Sequence, residues 1–163
     1  MKTLKILCSL FLFMALVSCQ RESQLTDSQR DEIIDGVKKM AIQFFVDSDA
    51  KNIDAVLNHL DNSKKFFWVF PPDPTHISRD DLASALKAEI ETDNSVKSTW
   101  DNIQIEPLTA NLAYYQGSFR QVVTEPSGAV SEFFGIESAV IILREDGWKF
   151  LNGQTYFAPV QSE

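Results

Sequence analysis

The chain has 163 residues, 44% of them hydrophobic, and sets 15 basic against 23 acidic side chains for a net charge of −8. That acidity excludes nucleic acid as a partner, because phosphate binding needs a cationic surface. It equally excludes electrostatic adhesion of the domain to anionic lipid.

At the N-terminus, Lys2 and Lys5 lead into an apolar run from Ile6 to Val17 that closes on the small residue Ser18. The run falls short of the roughly 20 residues that span a bilayer and has the layout of a secretory signal peptide. Its last residues, Leu16-Val17-Ser18-Cys19, resemble the lipobox of bacterial lipoproteins. The resemblance implies that residues 1–18 are removed and that Cys19 carries the lipid that holds the protein to a membrane of the cell envelope; more than one acyl chain makes such anchoring stable. Which membrane is left open. With Cys8 lost and Cys19 lipidated, the mature domain has no thiol, so disulfides, cysteine nucleophiles and thiolate metal sites are excluded. Loss of Lys2 and Lys5 takes the basic residues to 13 against 23 acidic, a mature charge near −10. Residues 19–25 form a short tether, and residues 26–163 are long enough for one domain with a real core.

Thr26 and Gln29 have the spacing of a capping box. Ile33, Ile34, Val37, Met40, Ala41, Phe44 and Phe45 then recur at helical spacing, which predicts a long amphipathic helix ending at Asp47-Ser48-Asp49. Asn52 is placed to cap a short second helix with Ile53, Val56, Leu57 and Leu60 on one stripe. Phe66 to Phe70, stopped by Pro71-Pro72, reads as a short strand outside the main sheet. Ser78 and Asp81 open a third helix, with Leu82, Leu86 and Ile90 at steps of four.

From Val96 to Phe157, turn signals at Thr109-Ala110-Asn111, Pro126-Ser127-Gly128 and Asp146-Gly147 divide the chain into four strands of an antiparallel meander. A two-residue Asp146-Gly147 turn would pair Glu145 with Trp148, Leu143 with Phe150, Ile141 with Asn152 and Ala139 with Gln154. One face of that hairpin then carries Ala139, Ile141, Leu143, Trp148, Phe150, Asn152 and Gln154; the other carries Ile136, Val140, Ile142, Leu151 and Phe157. Both faces are apolar, so both need a cover. The helices supply one cover, and a second copy of the chain, as a homodimer through the outer sheet face, is the expected other.

This order of elements, with Asn111-Leu112-Ala113-Tyr114 and Asp146-Gly147-Trp148-Lys149-Phe150 as its most specific segments, resembles the nuclear transport factor 2-like superfamily and, within it, the SnoaL-like bacterial proteins. The resemblance implies an α+β, cystatin-like cone: about three N-terminal helices on a curved four-stranded antiparallel meander, open at one end to an apolar pocket. It implies no particular function, since this scaffold hosts isomerases, cyclases, dehydratases and proteins without a reaction. Catalytic members often place a histidine on the last strand past the tryptophan, where this chain has Asn152, Gln154 and Thr155. The isomerase-type tyrosine is likewise missing from the first helix, which shows Phe44 and Phe45.

Glu137 is the candidate acid. If its face is concave, burial raises its pKa and makes it a general base; at the rim it would be solvated or paired with Arg120. Trp68, Trp100, Tyr115, Asn152 and Gln154 are the accompanying pocket candidates, although the aromatics fit core packing as well, and which of Tyr114 and Tyr115 faces inward is open. His59 and His76 have no metal-ligand spacing. Asp47, Asp49 and Asp54 mimic a calcium loop, but Lys51 stands where a ligand belongs and the sharp-turn glycine is missing. No metal or cofactor is expected. Two functions are consistent with this inventory: a tethered, non-catalytic binding module for a small apolar ligand or a partner protein, and a proton-transfer enzyme on a small hydrophobic substrate with Glu137 as base.

Overall fold

The computed structural model describes residues 25–159. The expected signal segment, Cys19 and nearly all of the expected tether lie outside the described residues. Helix α1 (Asp27–Asp49), helix α2 (Ile53–Asn58), strand β1 (Phe67–Val69), helix α3 (Arg79–Ile90) and strands β2 (Ser95–Thr109), β3 (Leu112–Thr124), β4 (Val130–Arg144) and β5 (Gly147–Pro159) follow in that order. Among the described residues no helix is long and apolar enough to cross a membrane.

The caps lie where the sequence places them. Thr26 Oγ1 accepts from the Gln29 amide at 3.3 Å, and Gln29 Oε1 accepts from the Thr26 amide at 2.9 Å, satisfying two donors that a helix start leaves free. Asn52 Oδ1 accepts from the Ala55 amide at 3.3 Å. Ser78 Oγ accepts from the Asp81 amide at 3.2 Å, and the Asp81 carboxylate accepts from the Ser78 hydroxyl at 2.7 Å in place of the Ser78 backbone amide.

The sheet has five strands in the order β1-β5-β4-β3-β2 and is mixed. β2 to β5 form the expected antiparallel meander, but β1 is not outside it. Phe67, Trp68 and Val69 run parallel to β5 opposite Asn152, Gly153 and Gln154, which corrects the four-stranded, purely antiparallel expectation. A parallel pair needs a long crossover connection, and here helix α3 and strands β2 to β4 lie between β1 and β5 in the chain.

The inner face of the sheet wraps α1. Phe45 stacks on Trp100 at a centroid distance of 4.4 Å, Phe44 meets the Phe150 ring edge-on at 5.1 Å, and Trp148 lies so close to Gly36 that a Cβ there would stand 2.7 Å from its indole nitrogen. Val37, Ala41, Ala113, Tyr115, Ile141 and Phe150 form the fully enclosed centre. Inner-face glycines make room for rings in this core. A Cβ on Gly135 would fall 2.1 Å from the Phe119 ring, and one on Gly153 would fall 2.9 Å from Trp68.

The β4–β5 register differs from the expected one in two steps. The two-residue turn is Glu145-Asp146, closed by Arg144 opposite Gly147, whose φ of 117° suits glycine. Trp148 therefore pairs with Leu143, a shift of two residues that keeps each side chain on its expected face. Further on, the register shifts again between Val140 and Ile141: Ile141 pairs with Phe150 and Val140 with Asn152, leaving Leu151 as a bulge. One extra residue reverses every later face on the strand.

Candidate functional site

A cavity of about 120 Å³ opens between α1, α3 and the inner sheet face. Phe44, Phe45 and Ser48 reach it from α1, Leu82, Leu86 and Glu89 from α3, and Trp68 and Phe70 from β1 and the residue that follows it. Phe119, Glu137, Phe150, Thr155 and Phe157 line it from the sheet. Its volume is comparable with the roughly 150 Å³ apolar cavities that take a single benzene ring.

The bulge decides which polar side chains line this space. Glu137 pairs with Thr155 across β4–β5 and both are buried, whereas Asn152 and Gln154 stand on the outer face beside Phe67, Tyr114, Ser138 and Val140. Asn152 and Gln154 are therefore corrected from pocket residues to outer-surface residues. Phe157, expected outside, lines the cavity, and Leu151 is buried at the bulge. Trp100 is also a packing residue: it stacks on Phe45, and its indole donates to the Ala41 carbonyl at 3.2 Å.

Of the proposed group, the structure brings together Trp68, Tyr115 and Glu137. Trp68 Nε1 donates to Thr155 Oγ1 at 2.9 Å, and Thr155 Oγ1 donates to Glu137 Oε2 at 2.7 Å. The Tyr115 hydroxyl donates to Glu137 Oε1. Because an indole can only donate, the threonine hydroxyl must accept from it and is directed to pass its own hydrogen onward. Tyr115 can reach across because the residue directly opposite Glu137 on β3 is Gly117. Tyr114 faces out, and so the ambiguity between the two tyrosines resolves to Tyr115.

Burial pushes the Glu137 carboxyl above its ordinary range, outweighing the opposite pull of the Tyr115 and Thr155 hydrogen bonds. Burial, and then the neighbouring Glu137 charge, raise the Tyr115 phenol well above its usual value. Arg120 does not contact Glu137; it forms an ion pair with Asp101 at 2.9 Å. The remaining candidates do packing work. His59 pairs with Asp47 at 2.8 Å, His76 stacks on Phe67 at 4.6 Å, and Asp49 accepts from the amide and hydroxyl of Ser98 at 2.9–3.1 Å.

Thr155 is the site residue that sequence reasoning missed as a Glu137 partner. Gly153 marks a close approach of Trp68 to β5, but it pairs in register with Ala139 and does not mark the bulge at Leu151 that turns Thr155 inward.

No family model matches the chain, and no curated protein matches it. Solved structures do. A protein of unknown function from Shewanella oneidensis, described as NTF-2 like, superposes with a TM-score of 0.59 at 13% identity, covering 76% of this chain and 98% of that one. The fold is nuclear transport factor 2-like. Within this fold, a protein named as a scytalone dehydratase from Novosphingobium aromaticivorans matches at a TM-score of 0.73 and 10% identity, over 82% of this chain and 89% of that one. A hexachlorocyclohexane dehydrochlorinase of type 2 matches at 0.67 and 11% identity, over 85% and 95%. At these identities the likeness concerns the fold itself.

Proposed function

We propose that the protein is a cell-envelope lipoprotein, tethered through lipid on Cys19, whose cone binds a small, largely apolar molecule of about one ring without turning it over. The observation that carries this reading is the cavity: ring-lined walls closing on one buried carboxyl, Glu137, the usual composition of a small-molecule site. A non-catalytic role is supported by the state of that carboxyl. It is held in place by a hydrogen bond to each oxygen, and the phenol beside it is poorly disposed to release a proton to a substrate. Proton transfer needs a base and a second group placed on the substrate, and the other ionisable residue of the lining, Glu89, is exposed.

One observation favours the second reading, an enzyme with Glu137 as base: burial raises its pKa toward the range useful for a general base. Fold neighbours named for dehydration and dehydrochlorination keep that chemistry in view. Native mass spectrometry of the full chain tests the binding reading. A co-purifying small molecule that is lost or weakened in a folded Glu137→Gln variant, and recovered chemically unchanged, is the expected result. Recovery of a product in place of the bound molecule would move the assignment to the enzyme, and absence of any bound or bindable ring-sized compound would end the pocket reading.

A further inference from the structure

We infer that the cavity takes a small organic cation, an aryl- or alkylammonium whose positive end meets Glu137 and whose hydrocarbon part fills the ring-lined walls. This rests on the binding reading above and adds the ligand's charge to it.

Charge sign is the first ground. Among the described residues, the ionisable groups lining the cavity are Glu137 and Glu89; Lys, Arg and His do not line it. Buried Asp61 has the Arg144 guanidinium at 2.7 Å. Among the described residues, Glu137, equally buried, receives only the neutral hydroxyls of Tyr115 and Thr155. A buried carboxylate without a counter-charge is costly, and pairing relieves that cost. An anionic ligand would meet two carboxylates, a neutral one would leave Glu137 uncompensated, and a cation supplies the missing charge.

Valence is the second ground. A carboxylate offers about four acceptor positions, so two protein donors leave room for an ammonium N–H. The walls are the third: Phe44, Trp68, Phe119, Phe150 and Phe157 surround the space, and aromatic rings attract organic cations through their faces. The volume of about 120 Å³ limits the ligand to about one ring or an equivalent short alkyl group. Finally, the net charge of −8 raises the local concentration of cations around the protein.

The test uses three probes of one shape, benzylammonium, benzyl alcohol and benzoate, titrated into the full chain and followed by calorimetry and by tryptophan fluorescence. Benzylammonium should bind at least tenfold more tightly than benzyl alcohol, with benzoate weakest. Glu137→Gln should erase the tenfold preference of ammonium over alcohol; if that variant does not fold, the order of the three probes on the unaltered protein decides. Equal binding of alcohol and ammonium, a preference for benzoate, or an ammonium preference surviving in a folded Glu137→Gln variant would overturn the cation assignment while leaving the pocket in place. Failure of all three probes would overturn the pocket reading and this inference together.

Discussion

Thr155→Val probes the polar chain beneath the cavity with almost no change of shape, since a methyl replaces a hydroxyl. In the native chain that hydroxyl accepts from Trp68 Nε1 at 2.9 Å and donates to Glu137 Oε2 at 2.7 Å. Valine therefore strands two groups: an indole N–H on a residue only 5% exposed and one oxygen of an acid that is also 5% exposed. A hydrogen bond to a charged group contributes about 1.5–3 kcal/mol, and an orphaned buried donor costs about 1–3 kcal/mol. Members of one network do not add fully, so the expected loss is about 2–4 kcal/mol at neutral pH. Thr155→Ser keeps the hydroxyl and should cost about 1 kcal/mol or less, the value of a lost methyl. Urea titration followed by tryptophan fluorescence measures both variants, with the urea dependence unchanged so that midpoints can be compared. The cost of valine should shrink in acid, because a protonated Glu137 needs fewer donors. A valine variant within about 1 kcal/mol of the native protein, or a serine variant as unstable as valine, would refute the network as the element holding Glu137.

The carboxyl itself leaves a signature in pH. Glu137 has its folded-state pKa raised by burial, so its contribution favours the fold below the ordinary carboxyl range and is lost as pH rises through the raised value, at up to about 1.4 kcal/mol per pH unit. Glu137→Gln should flatten that segment of the stability profile, and an unchanged slope would show that another group titrates there. Palmitate labelling in the producing cell should mark the protein and should be abolished by Cys19→Ala; label on the variant would remove the lipobox assignment. Homodimerisation through the outer sheet face, where Tyr114, Ile136 and Tyr156 are exposed and Val140 and Ile142 half-buried, predicts that Val140→Lys with Ile142→Lys gives a folded monomer. Sedimentation of the unaltered protein as a monomer at tens of micromolar would end that proposal. Gly135→Ala should destabilise by about 1–3 kcal/mol, the range for overpacking a core, because its Cβ would enter the Phe119 ring; a neutral result in chemical denaturation would mean that the ring moves freely.

Local rules determined a large part of this molecule. The capping pairs at Thr26 and Ser78, the apolar stripe from Ile33 to Phe45 and the turns of the meander are written in spacings of a few residues, and these place the helices, the long strands and their order. They also single out Glu137, because a carboxylate in an apolar strand is conspicuous. What the spacings did not carry was every feature that depends on two distant segments meeting. Strand β1 pairs with β5, a segment far along the chain, and nothing in Phe67-Trp68-Val69 specifies a parallel partner. The turn slipped from Asp146-Gly147 to Glu145-Asp146 without consequence for the faces, since a shift of two residues preserves parity. The bulge at Leu151 shifts by one and so exchanged Asn152 and Gln154 for Thr155 and Phe157 at the cavity. Because strand faces alternate with a period of two, one unpaired residue determined which polar partners reach Glu137. That residue lies where β5 shifts its register against β4, a feature of the pairing of two strands that no turn or spacing signal in the sequence marks.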